Sequence, residues 1–383
     1  MTNQEKRILE IIQVNPTIEQ AEIAEILGIK RSTVAVHISS LIKQGYLVGK
    51  GYIINKDNYV VGIGAANVDV YGKSRIPIRT HYDHPADILT NVGGVTHNIL
   101  TNLSKLGCDT KLITAIGDDG FGKMILEDSK LNNIDTKNCL TVKGKSSGVF
   151  MQIQDENNDM YLAVCDMSVI ESLDADYIKN KAKVLLNSKL VLIDPSLTDK
   201  TIKKIIDICK GRVALYCDPI SDNYALKMKQ YVKDLDCIKP NRTELENLSG
   251  IKIKDENDLY EACQILLKQG LHKIFVSLGK DGILYMDDEG KQIKRKLKPV
   301  ENMVNASGAG DALMAAIIYG EVNNLDIDKT IDYGLAAGIG AIISESTINS
   351  DMSIDLLERI AKENKLLWVT KIIYQLHQKL RKL

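Results

Sequence analysis

The chain has 383 residues, with 49 Lys and Arg against 50 Asp and Glu and a formal net charge of −1. That length suits two domains, or one large α/β domain with an appendage. The even charge balance excludes a protein that coats nucleic acid by charge alone, while leaving room for a local basic face.

The seven cysteines (Cys108, Cys139, Cys165, Cys209, Cys217, Cys237 and Cys263) form no CxxC pair and no Cys/His cluster at zinc spacing. The apolar runs fall short of a membrane span, and Met1 opens a polar segment rather than a signal peptide, so a cytoplasmic protein is expected. Ile8, Leu9, Ile11 and Ile12 predict a first helix ending near Asn15-Pro16. Thr17 is placed to cap a second, with Ala21, Ile23, Ala24 and Leu27 facing inward and Gly28 closing it. Arg31-Ser32-Thr33 opens a third, whose apolar positions are Val34, Val36, Ile38, Leu41 and Ile42. Residues 45–48 and Tyr52-Ile53-Ile54 then read as strands around Lys50-Gly51. Helix, helix, turn, helix and hairpin resemble the winged helix-turn-helix regulators. The third helix would offer Lys30, Arg31, Ser32, Thr33 and His37 to a major groove. The alternative is a degenerate winged helix kept for dimerisation or docking.

After the short polar joint Lys56-Asp57-Asn58, Tyr59-Val60-Val61-Gly62-Ile63-Gly64 is a β-branched strand ending in glycine. Ligands gather at the carboxyl ends of strands in a parallel α/β sheet. Asn67 and Asp69 are therefore placed for a polyol, since a carboxylate accepts from two neighbouring hydroxyls at once. Residues 73–92 read as polar and irregular. Gly93-Gly94-Val95-Thr96-His97-Asn98 then runs into a helix over 99–106, where two glycines allow close backbone approach to a sugar. His97 reads as a local wall or base contact. A strand at 110–116 and a glycine-acid turn come next, followed by alternating strands over 139–165 with a turn at 155–159. Together with 73–92, these predict a small sheet standing apart as a lid that excludes water.

The remainder alternates strand and helix, with strands at 190–194, 214–218, 237–240 and 273–278, which implies right-handed βαβ units and a largely parallel sheet. Asp194, Asp218, Asn241 and Glu244 fall at or just past those strand ends. Ser277-Leu278-Gly279-Lys280-Asp281-Gly282 repeats the theme. Asn305-Ala306-Ser307-Gly308-Ala309-Gly310-Asp311 is a glycine-bearing loop entering a helix of small residues. Its backbone can approach a ligand closely, and the open N–H groups of the first turn form a nest for phosphate oxygens. Asp311 stands beside that anion, where a carboxylate can take a proton from an attacking hydroxyl. The alternative is an ordinary helix start capped by Ser307, with Asp311 favouring the dipole. A helix rich in Ala and Gly at 331–345 and a basic amphipathic helix at 366–383 complete the chain. No GxxxxGK[ST] is present, which excludes P-loop kinases.

The motifs Asn67-Val68-Asp69, Gly93-Gly94 with Asn98, Asn241-Arg242-Thr243-Glu244, Ser277-Leu278-Gly279 and Gly308-Ala309-Gly310-Asp311 come in the order found in ribokinase-like (PfkB-type) carbohydrate kinases, which residues 59–362 resemble. Within that family, residues 164–170, residues 239–244 and Asn305 are most similar to pseudouridine kinases. The resemblance implies an α/β fold with a mostly parallel central sheet flanked by helices, and a small β lid at about 73–92 and 139–165. The kinase domain would span 57–383, behind a winged helix at 1–56.

It also implies ATP-dependent phosphorylation of the 5′-hydroxyl of pseudouridine. Asp311 would be the base, and Gly308, Ala309 and Gly310 would hold the transferring phosphoryl group. Asn67, Asp69, Gly93, Gly94 and Asn98 would bind the nucleoside, joined by Asp166 and Asp194. Asn241, Ser277, Gly279, Gly282 and Gly310 would contact ATP, while Asn241 and Glu244 would position magnesium through water. Many relatives carry Asp at the position of Asn305, where it helps to order a monovalent cation, so this departure bears on potassium dependence. A homodimer through the lid edges is expected, with DNA as a second partner and no membrane contact. The alternatives are a kinase for another nucleoside or ribose, and a ligand-sensing transcription regulator on a kinase fold.

Overall fold

The computed structural model describes residues 1–47, 58–157, 159–297, 303–304 and 307–363. The wing strand Tyr52-Ile53-Ile54, Lys56-Asp57 of the joint, Asn158, Asn305-Ala306 and the basic segment 366–383 lie outside the described residues.

The N-terminal segment folds as three helices around a core of its own. Thr2 and Glu5 form a reciprocal capping box that starts helix Asn3–Val14. Ile8, Ile12, Ile23, Val34, Ile38 and Leu41 fill the space between the helices. Helix Gln20–Leu27 starts later than a Thr17 cap would place it. Thr17 bonds Asn15 instead (2.9 Å), and the observed N-cap, Glu19, makes no side-chain bond. Ala21 is exposed rather than inward-facing. In helix Arg31–Lys43 the apolar stripe is narrower than its five candidates: Val34, Ile38 and Leu41 are buried, whereas Val36 is 67% and Ile42 40% exposed.

The kinase-like portion is built on a central sheet. Its strands run, edge to edge, Gln292–Arg295, Ile283–Asp287, Lys273–Ser277, Cys237–Ile238, Ala214–Cys217, Leu190–Ile193, Tyr59–Ile63, Asp109–Ile113 and Ile134–Asp135. From Lys273–Ser277 onward every pairing is parallel, and the first two strands add antiparallel. Parallel strands covered by helices on both faces need no polar alternation. Leu190–Ile193 accordingly sends Val191 and Ile193 into one layer and Leu190 and Leu192 into the other. The first layer holds helices Asp199–Cys209 and Glu256–Lys268, the second Val95–Lys105 and Ala309–Val322. Helix Ile327–Ile342 packs outside Ala309–Val322.

A second sheet stands apart, in the order Ala86–Gly93, Asn67–Ser74, Val149–Gln154, Met160–Asp166. The lid therefore begins at Asn67, and much of 73–92 is regular. Ala86–Gly93 pairs antiparallel with Asn67–Ser74, setting Asn67 opposite Gly93 and Asp69 opposite Asn91. Most of that strand is exposed on both faces, so it lacks the two-residue alternation by which a strand is read from sequence. Leu140–Val142 is outside the lid as well, pairing with Ala115–Gly117 instead.

Candidate active site

The site gathers at the carboxyl ends of the parallel strands, around the start of helix Ala309–Val322. Gly308 caps that helix in the left-handed region (φ 79°), where a Cβ would also collide with the Thr347 carbonyl. The N-cap is therefore a residue without a side chain, and the N–H groups of the first helical turn are the donors an anion would meet here. One turn in, Asp311 accepts a 2.9 Å hydrogen bond from Asn98 Nδ2. Burial, and then the negative charge of Asp218, push its pKa up to about 7 against the pull of Asn98 and Lys239. A carboxyl poised there ionises near neutral pH, which is what a general base requires.

On the acceptor side the charge of Asp69 is close enough to act on Asp311, and Asn98 bonds Asp311 directly. Asn98 lies within the first turn of helix Val95–Lys105, which begins a turn earlier than the sequence suggested. Its Oδ1 is buried without a partner, an acceptor left for a ligand hydroxyl. Asn67 donates to Asp69 (2.6 Å), and Asp69 and Tyr71 are bonded on the same face of the lid. Burial raises the Asp69 carboxyl above its usual range. A Cβ on Gly93 would strike the Asp69 carboxylate, so any larger residue there would push that carboxylate from its present position.

On the phosphate side, Asn241 and Glu244 form a reciprocal capping box at the start of helix Arg242–Ser249. Asn241 Oδ1 accepts from the Glu244 N–H (2.9 Å), and Glu244 Oε2 accepts from the Asn241 N–H (2.8 Å). The N-x-x-E spacing thus serves first to anchor a helix start. Burial, with Asp218 nearby, raises the Glu244 carboxyl. Ser277 bridges to Asn241 across the sheet, and Gly279 and Gly282 turn the chain beyond it with positive φ. Next to this group lies Lys239, 4% exposed, with its Nζ 3.1 Å from Asp218 Oδ2.

Residues 57–354 match the model of the pfkB family of carbohydrate kinases. The chain belongs to that family. Residues 1–48 match the winged helix-turn-helix DNA-binding family. Among curated proteins, the chain is 31% identical over 355 residues to the uncharacterized sugar kinase YeiI of Escherichia coli K12, covering 93% of this chain and 98% of that one. It is 28% identical over 302 residues to the pseudouridine kinase of the same organism, covering 79% and 96%. A solved structure of a candidate sugar kinase from Clostridium perfringens superposes with a TM-score of 0.72 at 31% identity, over 80% of this chain and 96% of that one.

Two residues expected at the substrate of this pfkB kinase, Asp194 and Asp166, and one expected at DNA, His37, are placed otherwise. Asp194 is buried and both its oxygens are occupied. Oδ2 accepts from the Ala65 N–H (2.8 Å) and Thr96 Oγ1 (2.7 Å), and Oδ1 accepts from the Ser196 backbone and hydroxyl. It clasps three chain segments together. Asp166 is exposed and accepts from the Ser168 N–H. The ladder register puts it on the lid face opposite Asp69, the face Asp69 shares being that of Phe150 and Cys165. His37, on the helix-turn-helix, hydrogen bonds Gln4 (3.0 Å) and lies against Glu5, tying helix Arg31–Lys43 to Asn3–Val14 instead of facing outward. Lys30, Arg31 and Ser32 are exposed and Thr33 half-buried, as a groove-facing turn requires, and Ala35, Val36, Ser39 and Lys43 continue that outward surface.

His97 is wholly buried, with no hydrogen bond at either ring nitrogen, and its Nε2 stands 3.3 Å from Asp128 Oδ2. Lys239 and Tyr71 were missed by sequence reasoning. Lys239 entered the sequence reading only as part of the 239–244 match, and Asp218 and Asp311 brought close by the fold reveal its setting. Tyr71 had a readable signal, the two-residue spacing from Asp69 that puts both on one strand face.

Proposed function

We propose that this pfkB kinase transfers the γ-phosphoryl group of ATP to the 5′-hydroxyl of pseudouridine, and that its N-terminal segment binds DNA. The observation that carries the kinase reading is the Asn98–Asp311 bond at a glycine-capped helix start, with the Asp69 charge close enough to act on Asp311. The narrower substrate rests on the pseudouridine kinase relative and its coverage. The likeness to YeiI favours a second reading, a kinase for another nucleoside or sugar.

In this mechanism Asp69 and Asn67 fix the ribose hydroxyls, and Asn98 orients Asp311 toward the 5′-hydroxyl. Asp311 takes the proton as the phosphorus–oxygen bond forms, and the first-turn N–H groups of helix Ala309–Val322 hold the oxygens of the transferring group. Ser277, Gly279 and Gly282 line the donor nucleotide. Among the described residues no three His, Cys, Asp or Glu side chains cluster as a metal cage. Hard oxygen donors at Asn241 and Glu244 suit magnesium held mainly by phosphate oxygens and water. Bound there, magnesium supplies neutralisation of phosphate charge.

The test is ATP-dependent product formation across pseudouridine, uridine, adenosine, inosine and ribose. Pseudouridine should be turned over with the highest kcat/KM. Equal use of uridine, or preference for ribose, would replace the substrate while leaving the kinase reading in place.

A further inference from the structure

We infer that Lys239 is a catalytic residue, its ammonium group contacting the transferring phosphoryl oxygens from beneath the helix start. This rests on the kinase reading above. Lys239 follows strand Cys237–Ile238 in the middle of the parallel sheet, and Pro240 narrows the backbone freedom on either side of their shared bond. Its Nζ stands 3.6 Å from the point that a Cβ on Gly310 would occupy. Gly310 is in the turn whose N–H groups face the anion, so the absence of a side chain there opens a path between ammonium and phosphoryl.

The charge count gives the second argument. A buried lysine is retained only when paired, and Asp218 provides a partner at 3.1 Å. An ammonium has three donors, however, and this salt bridge needs one of them. Glu244 and Asp311 also lie close enough for their charges to act on it. A lysine serving only to neutralise Asp218 would have no reason to sit beside the base and under the anion nest. In the transfer, the 5′-oxygen forms its bond to phosphorus while the bond from phosphorus to the ADP oxygen breaks. The hydroxyl proton goes to Asp311, and ADP leaves with the electron pair. Lys239 neither gives nor receives a proton; it offsets negative charge on the phosphoryl oxygens throughout.

The experiment compares full-length wild type, Lys239→Met, Lys239→Arg and the double variant Asp218→Asn/Lys239→Met. Two rates are measured on each: acceptor-dependent phosphorylation and slow acceptor-independent ATP hydrolysis. Lys239→Met should lose about a hundredfold or more in kcat, the loss seen when one transition-state donor is removed, with little change in KM for the acceptor. The hydrolysis rate should fall with it. The acid limb of its kcat/KM profile should move to higher pH, because Asp311 keeps the facing charges of Asp218 and Asp69 but loses a cation. Lys239→Arg should recover part of the rate.

The double variant removes both buried charges, so it folds without an orphaned carboxylate, and it should remain as slow as Lys239→Met. Recovery of the double variant to near the wild-type rate would reduce Lys239 to a counter-ion and overturn the inference, as would hydrolysis unaffected by Lys239→Met. If wild type phosphorylates none of the five acceptors, the substrate reading fails separately, and the hydrolysis ratio still decides Lys239.

Discussion

Asp311 carries two opposed demands. Its pKa near 7 lies above the ordinary 3.8 because burial and Asp218 disfavour the carboxylate. The folded state therefore holds a proton that the unfolded chain has released. The stabilising effect of that proton is fully present below about pH 4 and is lost as pH rises through about 7. Asp311→Asn should lower kcat by at least about a hundredfold. The same change should raise the melting temperature by a few degrees at pH 8 and by less at pH 5. Calorimetry at the two pH values checks the second half; a melting temperature unchanged at both would mean that the carboxylate is not strained in the native state. At this scale the sequence was legible where a residue's role follows from its place on the chain. Gly308 and Asp311 flank a helix start, and Asn67 and Asp69 follow a strand. It was illegible where the role depends on what the side chain meets. Asp194 sits at a strand end like Asp218, yet Ala65, Thr96 and Ser196 saturate it.

Helix Arg31–Lys43 gives the clearest prediction at the scale of an element. Its exposed surface carries cations at both ends, Arg31 and Lys43, and small or apolar side chains between them, Ser32, Ala35, Val36 and Ser39. The cations suit phosphates, and Val36 and Ala35 suit a thymine methyl in the major groove. With DNA from upstream of its own gene, Arg31→Ala or Lys43→Ala should weaken binding to all sequences and reduce the salt slope by about one. Val36→Asp should abolish preference for that DNA over random sequence. Fluorescence anisotropy at several salt concentrations reads both effects, and binding indifferent to all three changes would leave the segment without a DNA role. The three helices here were legible because Ile8, Ile12, Val34, Ile38 and Leu41 keep helical spacing. The error over His37 came from direction: its helix was right, but spacing alone could not say that it turns back toward Gln4.

For the whole molecule, the lid poses the question of association. On the face away from Asp69, Ile88 is 69% exposed, Leu162 53%, Val164 54% and Met151 40%, and the register aligns them across all but one of the strands. A contiguous apolar face of that kind signals a covering surface. We propose that a second copy of the chain covers it, forming a homodimer. Leu162→Asp with Val164→Asp should convert a dimer to a monomer in sedimentation velocity, leaving the central sheet folded. A wild-type protein that sediments as a monomer at micromolar concentration would remove the dimer. The parallel core was readable from its alternation of β-branched strands and amphipathic helices, whereas the extent of the lid was not, because strands exposed on both faces show no period.

Helix Ala309–Val322 is buried over most of its circumference, with residues 312–318 and Gly320 all enclosed. Its backbone amides can meet bulk water only when the surrounding layers separate, so their hydrogen exchange belongs to the global opening of the domain. The outer lid strands Ala86–Gly93 and Met160–Asp166, exposed over most of their length, can exchange by fluctuations that cost far less. The two sides of the proposed site therefore differ in how readily their backbone can open. On the proposed reading, the group that would take the proton is carried by a helix that opens only with the domain, and the groups that would hold the acceptor by a sheet whose outer strands can open locally.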